Sequence, residues 1–144
     1  MLTNRLDFPQ LKVLDLYSGT GAIAIEFISR GAKSATAVDI NRVSVKFMAE
    51  VKSDWEIENF DIVKSNAVKY LQRNQVKFDL IFADPPYQSE DAFLILKTVQ
   101  SQQALNEHGL LVIEHDKRKS FVEEPSFQEM RAFGKVNFSF FGVL

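Results

Sequence analysis

The sequence predicts a doubly wound, mostly parallel α/β fold that ends in an antiparallel hairpin. Three observations lead there. Short apolar runs alternate with stretches whose apolar residues recur at spacings of three and four, the pattern of strands joined by helices packed on a sheet. The run Leu80-Ile81-Phe82-Ala83 has almost no polar interruption, as expected of a strand covered on both faces. The last two strand-like segments are separated only by Gly134-Lys135, too little chain for a crossover helix, so they must be antiparallel.

In chain order, strands are expected at Lys12 to Tyr17, Ser34 to Asp39, Asp61 to Lys64, Phe78 to Ala83 and Gly109 to His115. Helices are expected at Gly21 to Arg30, Asn41 to Ser53, Ala67 to Gln72 and Asp91 to Ser101. The hairpin is formed by Phe127 to Phe133 and Val136 to Phe141, and the polar stretch Lys117 to Ser126 is the longest loop candidate. A five-stranded parallel core closed by an antiparallel hairpin is the arrangement of class I methyltransferases, whereas an NAD-binding Rossmann domain normally continues in parallel.

At 144 residues the chain is the size of one domain, 1–144, able to bury a core without staples. It has no cysteine, which excludes thiolate metal sites, redox pairs and covalent routes through a cysteine nucleophile. No metal is expected. No apolar run approaches the ~20 residues that span a bilayer, and Met1 to Arg5 lacks the apolar stretch of a secretion signal. The expectation is a cytoplasmic protein with no membrane partner, and a monomer. Seventeen basic and nineteen acidic residues give a net charge of -2, so a polyanion would have to be met by a local patch. Candidate patches are Lys117-Arg118-Lys119 and the set Arg30, Lys33, Arg42 and Lys46, each more simply explained as a solvated loop or helix face.

Two segments carry the chemistry. The first strand runs through Asp15 and Leu16 into Tyr17-Ser18-Gly19-Thr20-Gly21, a glycine turn opening a helix, where exposed amides favour a carboxylate or phosphate. Gly19, Gly21 and Ala24 also fit G-x-G-x-x-A, so a dinucleotide competes for this site. Asp39 ends the second strand, followed by Ile40, where a carboxylate can accept from both hydroxyls of a ribose. Asp15, just before the turn, is poorly suited to a pyrophosphate and well suited to a ligand bearing an amino group and a sulfonium, although it could serve only to cap the loop. Ser65-Asn66-Ala67 follows the third strand. The Asn66 carbonyl could accept from an adenine amine while the Ala67 amide donates to a ring nitrogen, and a plain helix cap would explain Asn66 equally well.

The fourth strand ends in Asp84-Pro85-Pro86-Tyr87 on the same carboxyl edge, where open α/β sheets bind ligands. Proline holds its predecessor extended and donates no amide hydrogen, so the turn is stiff and the carbonyls of Asp84 and Pro85 are less readily consumed locally. The Asp84 carboxylate and the Pro85 carbonyl can accept both N–H groups of a nucleobase amine and aim its lone pair, while the ring of Tyr87 stacks on a base taken out of its helix. His108 and His115 read as a loop residue and a strand-end residue.

Together, Asp15-Leu16-Tyr17-Ser18-Gly19-Thr20-Gly21, Ser29-Arg30-Gly31-Ala32, Val38-Asp39, Ser65-Asn66-Ala67 and Phe82-Ala83-Asp84-Pro85-Pro86-Tyr87 resemble the RsmD family. The resemblance runs from Lys12 almost to the C-terminus. It implies a Rossmann-like methyltransferase that passes a methyl group from S-adenosylmethionine, leaving S-adenosylhomocysteine, to N2 of a guanine in small-subunit ribosomal RNA. The implied partner is ribosomal RNA or the small ribosomal subunit. Two features depart from the pattern: Tyr17 stands where the general class has glycine, and only about ten residues precede the first strand where the family carries a basic segment and a helix. The expectation is therefore a domain lacking the usual N-terminal extension. The alternatives are an adenine-N6 or other amino-methyltransferase using the same turn, and a catalytically idle cofactor-binding subunit.

Overall fold

The structure, a computed structural model, describes residues 8–144; Met1 to Arg5, read above as free of a secretion signal, lie outside them. Among the described residues, seven strands form one sheet in the order β3-β2-β1-β4-β5-β7-β6. These are β1 (Lys12–Leu16), β2 (Ser34–Asp39), β3 (Phe60–Lys64), β4 (Phe78–Ala83), β5 (Leu105–Asp116), β6 (Phe127–Phe133) and β7 (Val136–Phe141). Strands β1 to β5 are mutually parallel; β7 runs antiparallel between β5 and β6. Four α-helices join the parallel strands: α1 (Ala22–Ser29), α2 (Arg42–Asp54), α3 (Ala67–Arg73) and α4 (Asp91–Ser101).

The alternation of apolar side chains along each strand sorts the core into two layers. Leu14, Leu16, Ile81 and Ile113 face α3 and α4, meeting Leu71, Ile95 and Leu96. Val13, Leu80, Phe82 and Val112 face α1 and α2, meeting Ala24, Met48 and Phe60. Strand β4 is thus buried on both sides, which is why its sequence shows so little polar interruption. Full burial of such side chains is worth roughly 1.5–3 kcal/mol each, so this double packing is what fixes the carboxyl edges of the strands in space.

The helices begin where their caps place them. The Asn41 side chain accepts from the Val43 and Ser44 amides at 2.8 and 3.1 Å, and that of Asn66 accepts from the Lys69 amide at 3.0 Å. Gly21 precedes α1 in a left-handed conformation, φ 80°.

The expected elements are all found, with boundaries shifted by one residue at several ends and by four at the start of β5. Strand β1 ends at Leu16, because Tyr17 turns into the left-handed region at φ 59°; β3 begins one residue early, at Phe60. Helix α3 gains Arg73. The largest difference is β5, which begins at Leu105 instead of Gly109. Leu105 pairs with Phe78 and Leu110 with Leu80, so the intervening residues bulge out of the ladder. Within that bulge His108 has φ 67°, and a Cβ on Gly109 would lie 2.8 Å from the Asn106 carbonyl oxygen, a crowding only glycine relieves.

The loop after β5 lacks a helix but is anchored by Phe121, whose ring packs 4.5 Å from Phe93 of α4 and 5.5 Å from Phe141 of β7. His115 is a core residue: its Nε2 meets the Ser139 hydroxyl at 2.7 Å and its Nδ1 the Asp116 carbonyl at 2.8 Å. Burial lowers its pKa, favouring a neutral ring that donates from Nδ1 and accepts at Nε2. No helix among the described residues is long and apolar enough to cross a membrane.

Candidate active site

The chain reverses its winding between β1 and β4, and at this switch point the carboxyl ends of five strands converge. The turn after β1 is held by its neighbours. The Ser18 amide and hydroxyl both donate to the Val38 carbonyl, at 3.1 and 3.2 Å. The Gly19 amide donates to one oxygen of Asp39 at 2.8 Å and the Asn41 amide to the other at 2.8 Å. Asp39 therefore stitches the ends of β1 and β2 together. Each carboxylate oxygen retains a second acceptor direction for a hydroxyl.

Three of the five turn residues, Tyr17, Gly19 and Gly21, have positive φ. Tyr17 is the one that carries a side chain there, at φ 59°, and its hydroxyl donates to Asp91 at the start of α4 at 2.8 Å. Burial of the ring and, after it, that bond hold the phenol well above its usual pKa. A Cβ on Gly21 would approach Met48 Sδ to 2.8 Å, so the turn lies against α2 more closely than any other residue permits. Thr20 is exposed at the tip of the turn.

Asp15 is 2% exposed and accepts only weakly from the Ala24 amide, at 3.3 Å. Burial pushes its pKa up to about 7, the amide opposing and the Asp84 and Asp39 charges adding. Ile40, 65% exposed, offers an apolar surface next to Asp39. The amide of Ser65 donates to the Asp39 carbonyl at 3.1 Å, which brings Asn66 and Ala67 to the same edge. The side chain of Asn66 is engaged as the cap of α3, so capping explains its identity; the adenine contact considered for it is not required by the fold.

Asp84 leaves β4 with its side chain exposed, Pro85 is buried beneath it, and Tyr87 lies half-buried beyond. The carbonyl the turn consumes is that of Pro86, which accepts from the Ser89 amide and hydroxyl at 3.2 and 2.8 Å. Sequence reasoning missed Glu114. In the β4–β5 ladder Ala83 pairs with Ile113, so the next residues, Asp84 and Glu114, are brought side by side. The Tyr87 hydroxyl donates to Glu114 at 2.7 Å. Partial desolvation and the Glu114 carboxylate raise the Asp84 pKa to about 6, and desolvation and the same carboxylate push the Tyr87 phenol up to about 12. Only the strand register could have pointed to Glu114, since in sequence it is one polar residue in an apolar run.

The basic stretch Lys117-Arg118-Lys119 stands beside this turn. Lys119 donates to the Tyr87 carbonyl, and Arg118 grips Asp116 through two bonds at 2.9 and 2.5 Å. Of the other set, Arg30 pairs with Glu26 at 2.6 Å, while Lys33, Arg42 and Lys46 are exposed.

The edge is acidic: Asp15 of β1, Asp39 of β2, Asp84 just after β4 and Glu114 of β5 lie close enough that Asp84 and Asp39 act on Asp15 and Glu114 acts on Asp84. Such a donor set repels a pyrophosphate and fits a cationic nucleoside carrying an ammonium and a sulfonium. Fold and site together define a class I methyltransferase, the class that uses S-adenosylmethionine. The family described as conserved hypothetical protein 95 matches residues 1–142, and the chain belongs to this family of RsmD-like methyltransferases. Ribosomal RNA small subunit methyltransferase D of Buchnera aphidicola subsp. Baizongia pistaciae is 28% identical over 103 residues, covering 72% of this chain and 53% of that protein. The same-named protein of another Buchnera subspecies is covered over 59% of its length, so the chain spans little more than half of these curated relatives. A Haemophilus influenzae structure superposes with TM-score 0.90 at 20% identity, over 99% of this chain and 94% of that one, and shows the same fold. A ribosomal protein L11 methylase of Lactobacillus delbrueckii subsp. bulgaricus superposes with TM-score 0.73 at 26% identity, over 95% of this chain and 72% of that one.

Proposed function

We propose that this domain transfers a methyl group from S-adenosylmethionine to the exocyclic N2 amine of a guanine in small-subunit ribosomal RNA. The observation that carries the reading is the Asp84-Pro85-Pro86-Tyr87 turn at the end of β4, its carboxylate exposed beside the glycine turn of β1. The cofactor supplies, when bound, a methyl group made electrophilic by its sulfonium. The chain's residues hold it: Asp39 accepts from the ribose hydroxyls, Ile40 covers one face of the adenine, and the Ala67 amide donates to a ring nitrogen. The turn Tyr17 to Gly21 surrounds the amino-acid end, and Asp15 supplies the negative charge that its ammonium and sulfonium require.

On the substrate side, a guanine amine is a poor nucleophile because its lone pair is delocalised into the ring. The Asp84 carboxylate and the Pro85 carbonyl accept its two N–H groups, which localises the lone pair and aims it, and Tyr87 stacks on the base. The proton that nitrogen sheds on gaining the methyl passes to Asp84, which at neutral pH is ionised and able to take it.

The curated small-subunit relatives support ribosomal RNA as the substrate class, and the intact turn supports an amine as the acceptor. Nucleoside mass spectrometry of ribosomal RNA from cells with and without the gene tests this reading. Loss of N2-methylguanosine from the small-subunit RNA is expected. Loss of N6-methyladenosine instead would transfer the assignment to adenine, and an unchanged nucleoside profile would leave a cofactor-binding subunit as the better description.

A further inference from the structure

We propose that Glu114, near the end of β5, is the positioning residue of the methyl-transfer turn, holding Tyr87 through its hydroxyl and standing beside Asp84 at the next step of the β4–β5 register. This rests on the function proposed above and assigns a role to a residue outside the Asp-Pro-Pro-Tyr turn. Three features converge on the turn from β5 and the loop behind it. The Tyr87 hydroxyl donates to Glu114 at 2.7 Å, the Lys119 ammonium donates to the Tyr87 carbonyl, and the strand register sets Glu114 beside Asp84. A tyrosine whose ring is to stack on an extruded base must not swing about its χ1 and χ2 bonds. Here both the hydroxyl end and the backbone end are tied, whereas Pro85 and Pro86 stiffen only the backbone between.

Partial desolvation first, and then the Glu114 charge, keep Asp84 from titrating as an ordinary surface aspartate. Two neighbouring carboxylates cannot both ionise cheaply, so Asp84 holds its proton to a higher pH than a lone carboxyl would. As pH rises through about 6 that proton leaves, and Asp84 becomes the acceptor the amine requires. The groups facing Asp84 are Asp15 of β1, Tyr87 of its own turn and Glu114 of β5, with Asp39 of β2 behind Asp15 and with Asp116 and Lys119 behind Tyr87. Of these, Glu114 stands next to Asp84 across the β4–β5 register and raises it by its charge, so its removal should move the midpoint.

The test is carboxyl-carbon NMR titration of Asp84 in the ligand-free protein, wild type against Glu114→Gln. Glutamine keeps an acceptor for the Tyr87 hydroxyl and removes the charge. The wild-type midpoint is expected near 6, falling by on the order of one pH unit in the variant, with cofactor affinity unchanged within a few fold. Single-turnover methyl transfer at neutral pH should fall about ten-fold or more in Glu114→Ala, which frees the Tyr87 ring, and be largely restored in Glu114→Gln, which still accepts from its hydroxyl; equal rates in wild type and Glu114→Ala would overturn the hold on Tyr87. A wild-type Asp84 titrating like an exposed aspartate, or a midpoint identical in the variant, would overturn the proposal. Glu114→Ala, which leaves the β5–β7 backbone ladder intact, should give the same shift if the glutamine variant folds poorly. Because the titration needs no substrate, failure of the proposed function would appear separately, as absence of methyl transfer by the wild type.

Discussion

Asp15→Asn should make the ligand-free protein more stable at alkaline pH while weakening its hold on the cofactor. The side chain is 2% exposed, and burial together with the Asp84 and Asp39 charges lifts its pKa from an ordinary 3.8 to about 7 against the single weak bond from the Ala24 amide. A group that binds its proton more tightly folded than unfolded contributes stability that is complete below pH 4 and lost as pH rises to about 7. At 1.36 kcal/mol for each pH unit of that window, the loss is at most about 4 kcal/mol. Asparagine is nearly isosteric, keeps an oxygen for the Ala24 amide and never ionises. Urea unfolding of both proteins at pH 4 and pH 8 should give a small difference at the acid end, and several kcal/mol in favour of the variant at the alkaline end. Calorimetry should show the converse for S-adenosylmethionine: wild-type affinity rising with pH through about 7 as Asp15 ionises, and a weaker, flatter profile in the variant. A stability difference that is the same at both pH values would refute the account of Asp15 as an ionisable group held for a cation.

Asp39→Ala should weaken cofactor binding by roughly 1 to 3 kcal/mol, the scale of charge-assisted hydrogen bonds lost at a partly buried site. It should also lower the melting temperature modestly, because Asp39 ties the Gly19 and Asn41 amides, and unchanged affinity in calorimetry would count against its ribose role. Asp84→Ala should reduce single-turnover methyl transfer ~10²-fold or more while leaving the cofactor dissociation constant within a few fold; normal turnover would rule out its acceptor role. Gly21→Ala places a methyl 2.8 Å from Met48 Sδ at φ 80°, and should destabilise the fold by about 1 to 3 kcal/mol in chemical unfolding.

What the sequence made legible and what it hid divide along one physical line. Period and turn chemistry are local, so the alternation of strands and helices, the Gly134-Lys135 hairpin and the carboxyl-edge location of Asp39 and Asp84 could all be read from short windows. Strand β5 was read four residues short because its first part is a bulge, and a bulge breaks the alternation on which the reading depends. Tyr17 looked like a departure from a glycine position; the structure shows that the position does demand positive φ, and that the phenol bonds Asp91 on α4, 74 residues away. Glu114 was hidden for the same reason. Its partners Asp84 and Tyr87 are 30 and 27 residues distant in sequence, and only the pairing of Ala83 with Ile113 brings them together. The hydroxyl of Tyr87, treated in sequence as incidental to a stacking ring, is thereby the link between the turn and the next strand. A motif read along one chain segment gave the acceptor and the ring. The neighbouring strand supplies the carboxylate that bonds the ring's hydroxyl, and strand pairing can be written in sequence only as a register that no single segment contains.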